Sequence, residues 1–111
     1  MRLNYNFNRW CKKMDLEEIN YLYGAMTDLK YRLLPVRHIM ENDIEKPVTF
    51  NLSCQDFIYA IRALNQFVCS RGLEPLFEVP AEDNWSEEVF RSVFSRFDYL
   101  MSFPEGEPEM K

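Results

Sequence analysis

The run from Ser53 to Gly72 constrains the fold more than any other part of the chain. Phe57, Ala60, Ile61, Leu64, Phe67 and Val68 recur at helical spacing and lay one apolar stripe along a helix. Ser53 stands where a capping hydroxyl can accept from first-turn amides, and Asp56 follows three residues on. Gly72 lies just after Arg71, at the place of a left-handed C-terminal cap, and the arginine suits the negative end of a helix. So wide a stripe must be covered, and the rest of the chain has to supply the cover.

Two further stripes are present. Asp15, with Glu18 three residues later, forms a capping-box pattern ahead of Leu16, Ile19, Tyr23, Met26, Leu29 and Leu33. Pro35 is expected to end this helix, because proline disfavours the helical state of the residue before it. Residues 36–46 then read as a long loop. Asn84 or Ser86 caps a third helix, whose buried face is Val89, Phe90, Val93, Phe94, Phe97, Leu100 and Met101, with Pro104 as its stop.

Between the helices the period changes to two. Leu3, Tyr5 and Phe7 alternate with Asn4 and Asn6, and Val48, Phe50 and Leu52 alternate with Thr49 and Asn51. Leu76–Val79 reads as a third short strand, confined to a sheet edge by the prolines beside it. The expected fold is therefore α+β, with three amphipathic helices packed on a small two- or three-stranded sheet. At 111 residues and 47% hydrophobic, the chain can fill one core without disulfide or metal staples. Residues 1–103 are expected to form this single domain and residues 104–111 a disordered acidic tail.

The chemistry-bearing residues are sparse. His38 is the one histidine and has no second ligand at metal spacing. Three glycines exclude a glycine-rich phosphate cradle. Glu41, Asp43 and Glu45 alternate acidically but lack the glycine and terminal glutamate of a calcium loop. The adjacent carboxylates Glu17–Glu18, Glu82–Asp83 and Glu87–Glu88 sit at helix starts or in loops, where negative charge stabilises a helix N-terminus. Cys11, Cys54 and Cys69 form no close pair, which fits small core residues in a reducing compartment. We expect no enzyme, no cofactor and no metal. With no apolar run of membrane-spanning or signal-peptide length, the expected location is cytoplasmic.

The surface carries the remaining information. Residues 1–40 hold seven Lys/Arg against four Asp/Glu, whereas residues 41–111 hold six against fourteen. Between Arg71 and Arg91, Glu74, Glu78, Glu82, Asp83, Glu87 and Glu88 occur without one basic residue, and Trp85 stands among them. An aromatic anchor ringed by carboxylates describes a contact surface for a basic protein. The competing reading is that Trp85 packs onto Val89 or Phe90 while the carboxylates stay solvated. The expected function is a small acidic protein-binding protein of the inhibitor, immunity or adaptor type, familiar among bacterial immunity proteins and phage inhibitors. Its partner would be a protein with a basic surface.

The rival class is a nucleic-acid-associated factor using Arg9, Trp10, Lys12 and Lys13, although the net charge of −5 argues against nucleic acid. A homo-oligomeric module, such as a homodimer joined through strand edges, is a further option.

Overall fold

The computed structural model describes residues 6–102. They fold into four helices, α1 (Asn8–Cys11), α2 (Leu16–Glu41), α3 (Phe50–Cys69) and α4 (Glu87–Leu100). Among the described residues no strand forms, so the expected α+β sheet is replaced by an all-helical core.

α2 begins as its sequence predicts. The Asp15 carboxylate accepts from the Glu18 amide at 2.8 Å, and the Glu18 carboxylate accepts from the Asp15 amide at 3.0 Å. Its end does not follow the prediction, because the helix passes through Pro35 and runs on to Glu41. Pro35 is solvent-exposed, so water can reach the backbone carbonyl that its missing amide leaves unpaired. Packing holds the extension: Val36 is fully buried, and Arg37 donates to both oxygens of Asp98 on α4 at 2.9 and 2.8 Å. Hydrogen bonding to Asp98 raises the Arg37 pKa, against the opposing effect of burial.

α3 runs antiparallel to α2, with Glu18 joined to Arg71, Tyr21 against Phe67, and Arg32 within 3.6 Å of Asp56. It starts before the predicted Ser53 cap. The residues read as a strand, 48–52, form a turn and then the first turn of the helix. Phe50 turns into the core while Val48 is 99% exposed and Leu52 is exposed. The alternation came from one inward phenylalanine between two outward aliphatics, a pattern too short to separate the two periods.

α4 is capped by Ser86, whose hydroxyl accepts from the Val89 amide at 3.3 Å. Its far end is closed by the N-terminal segment. The Asn6 and Phe7 amides donate to the Ser102 and Leu100 carbonyls, and Asn6 Nδ2 donates to the Tyr99 carbonyl at 2.6 Å. Residues 6 and 7 of the first expected strand thus cap a helix, and residues 3–5 lie outside the described residues, as does the tail at 104–111. One core joins all four helices, with Phe57 of α3 facing Phe90 and Phe94 of α4.

Cys11 lies in this core, and burial pushes its thiol from 9.0 up to about 11. The unfolded thiol loses its proton near pH 9 while the folded one keeps it. Stability from this group is therefore complete below pH 9 and falls as pH rises to 11. Denaturant titrations should show wild type losing roughly 2–3 kcal/mol more than Cys11→Ala across that interval. Equal losses would mean that the thiol is open to solvent in the folded state.

Candidate functional site: an acidic strap

After α3 the chain does not cross directly to α4. Leu73 closes the helix end by donating to the Val68 carbonyl, and Gly72 turns the chain at a φ of 80°. Residues 73–85 then run back along α3 as an extended strap. This is where Leu76–Val79 was expected as a strand, and the reason it is not one is that side chains take the place of a partner strand.

Asn65 on α3 grips Phe77 from both sides. Its Nδ2 donates to the Phe77 carbonyl at 2.7 Å, and its Oδ1 accepts from the Phe77 amide at 3.0 Å. Arg96 on α4 donates through Nε to the Leu76 carbonyl at 2.8 Å, and Trp10 on α1 donates through Nε1 to the Glu74 carbonyl at 2.7 Å. Further along, Arg62 on α3 reaches the carbonyls of Pro80, Ala81 and Glu82 and pairs with the Asp83 carboxylate at 2.9 Å. Within the strap, Leu76 and Phe77 turn into the core and are buried, next to the exposed carboxylates. Three helices thus hold one irregular segment, and buried backbone groups find partners without a sheet.

The pinned backbone faces inward, so the acidic side chains are turned outward. Glu74, Glu78, Glu82, Asp83, Glu87 and Glu88 are all exposed. Three are partly neutralised: Glu74 by Arg9 at 3.1 Å, Asp83 by Arg62, and Glu87 by Arg91 at 3.7 Å. Glu78, Glu82 and Glu88 make no ion pair among the described residues. Exposed pairs of this kind add little stability.

Trp85 does not join this row. It is 8% exposed and meets Phe90 edge-on at 5.3 Å between ring centres. The indole is a wedge between the strap and α4, as the competing reading of the sequence had it. Trp10, in the basic cluster near the N-terminus, is 2% exposed, with the Arg9 guanidinium over its ring at 4.9 Å. That ring is not free to stack on a base, so the cluster keeps only its charges for phosphate.

The clasping residues Arg62, Asn65 and Arg96 were not singled out as site residues by the sequence. Arg62 lies outside the apolar stripe of α3, yet its Nε is buried. No local signal marks such a residue, because the carbonyls it reaches lie 18–20 positions away. His38 lies exposed in the last turn of α2, with its Nδ1 3.0 Å from Asn42 Nδ2. Cys54 is half-buried, and burial raises its thiol pKa although Lys46 acts in the opposite sense. That setting favours the thiol over the nucleophilic thiolate. No helix among the described residues is long and apolar enough to cross a membrane, and no group of three metal-ligating side chains occurs among them. In comparisons with known proteins, no family model, characterised protein or solved structure matches the chain.

Proposed function

We propose that the chain is a small protein-binding protein, of the inhibitor, immunity or adaptor type, whose acidic strap docks on a basic surface of a protein partner. The observation that carries this reading is the fixed outward row of carboxylates. The clasps hold residues 74–83 in place, so a partner meets a preorganised surface, and ordering costs at binding are reduced. Glu78, Glu82 and Glu88 form the working part, because their charge is not spent on a neighbouring arginine. Trp85 supports the row from beneath and makes no anchor of its own.

Complementary charge of this kind chiefly speeds encounter and selects the partner. The nucleic-acid alternative is weakened by the burial of Trp10 and by the pairing of Arg9 with Glu74. The test is capture of partners from the native cell by tagged protein. Glu78→Lys with Glu82→Lys should reduce capture tenfold or more. Glu17→Lys with Glu45→Lys makes the same change in net charge away from the strap and should leave capture in place. Equal loss in both variants would show that overall charge, and not the strap, governs binding.

A further inference from the structure

At the end of the strap the structure holds a hollow whose rim includes Asp83 and Glu87 of the acidic row. It has a volume of about 500 Å³ and lies among the C-terminal end of α2, the N-terminal half of α3 and the start of α4. This is the size range of small-molecule sites. We propose that it binds a small planar heteroaromatic molecule of the nucleobase type, with a hydrogen-bond donor and acceptor side by side on one edge. The proposal is independent of the strap's role in protein binding.

The walls suit a flat ring. Phe50, Ile58, Trp85 and Phe90 supply apolar surface, three of them aromatic. The rim suits a donor–acceptor edge. Asn51, Gln55 and Asn84 each bring a carboxamide, which offers two donors and an acceptor and can match either polarity. All three are exposed, so their side chains can turn towards a ligand.

One buried group is left waiting for a partner. Among the described residues Trp85 Nε1–H has no hydrogen-bond acceptor, and it is shut off from solvent. Such a donor costs about 1–3 kcal/mol when unpaired. The other indole of the chain, Trp10, is satisfied by the Glu74 carbonyl. Gln55 and Asn84 line the same hollow as Trp85, and an acceptor on a ligand bound there would satisfy the indole.

Charge narrows the class. Asp83 and Glu87 lie on the rim, paired with Arg62 and Arg91, and Lys46 lines the hollow as well, so charges of both signs balance there and a neutral ring is accepted. The polar rim sets the hollow apart from a site for a purely aliphatic ligand.

The test follows the two indole N–H resonances by NMR while adenine, uracil or benzoate is added at millimolar concentration. Adenine or uracil should shift the Trp85 N–H and leave that of Trp10 in place. Asn51→Ala with Gln55→Ala changes exposed side chains and should weaken this binding about fivefold or more, equivalent to roughly 1 kcal/mol. An unmoved Trp85 signal with both bases would overturn the site. Equal shifts with benzoate, or unchanged affinity in the double variant, would overturn the ligand class.

Discussion

Phe94→Ala is expected to lower the free energy of unfolding by about 3–5 kcal/mol, the range for removing a buried phenylalanine. Phe94 is almost fully buried, and its ring lies 5.9 Å from Phe57 and 6.4 Å from Phe90. The Arg37 guanidinium sits 5.6 Å from its centre, so the ring joins α2, α3 and α4. Truncation removes those contacts and opens a cavity that three helices cannot easily close, because each is held by other clasps. A chain of this size has a total stability of about 5–15 kcal/mol, so the variant should be close to unfolding under mild denaturant. Chemical denaturation of both proteins measures the difference. A midpoint that does not move would mean that α4 is not seated on α3.

The three long helices were legible because their apolar stripes are long, whereas the single turn of α1 was not read from the sequence. Phe57, Ile61, Leu64 and Val68 on α3, and Val93, Phe94 and Phe97 on α4, all lie in the core as their spacing predicts. The Asp15 and Ser86 caps were legible for a local reason, since each side chain meets an amide three residues away. The strands were misread where a period of two rested on five residues or fewer. At residues 48–52 only Phe50 of the three alternating apolar residues is buried. At Pro35 a local preference lost to packing, because the Val36 and Arg37 contacts lie in the tertiary structure and are invisible in the helix's own sequence.

The candidate site was legible in charge and not in shape. Six carboxylates without a basic residue pointed to residues 74–88, and all six are exposed. Trp85 was ambiguous because an aromatic residue before a helix can serve as an anchor for a partner or as a wedge inside the fold. Its partner Phe90 is five residues away, and only the path of the strap decides between the two.

Asn65→Ala is the second large effect expected. The alanine leaves the Phe77 amide and carbonyl without their partner beneath a part-buried strap. Loss of two hydrogen bonds with the backbone groups left behind costs about 2–4 kcal/mol, unless the strap lifts and lets water in. Lifting would limit the loss of stability but would free the row of carboxylates. Asn65→Asp keeps an acceptor for the Phe77 amide but sets a second, charged acceptor against the Phe77 carbonyl in place of the donor. It should therefore destabilise the fold at least as much as alanine.

The acidic surface depends on the strap being held as firmly as a strand although no strand among the described residues pairs with it. Amide hydrogen exchange at Phe77 in the wild-type protein measures that directly. The Phe77 amide should exchange as slowly as the amides in the middle of α3, because both are released by the same unfolding event. Exchange of Phe77 at the rate of an unprotected loop amide, while α3 stays protected, would contradict the account and leave the carboxylates on a segment that has no fixed surface to offer.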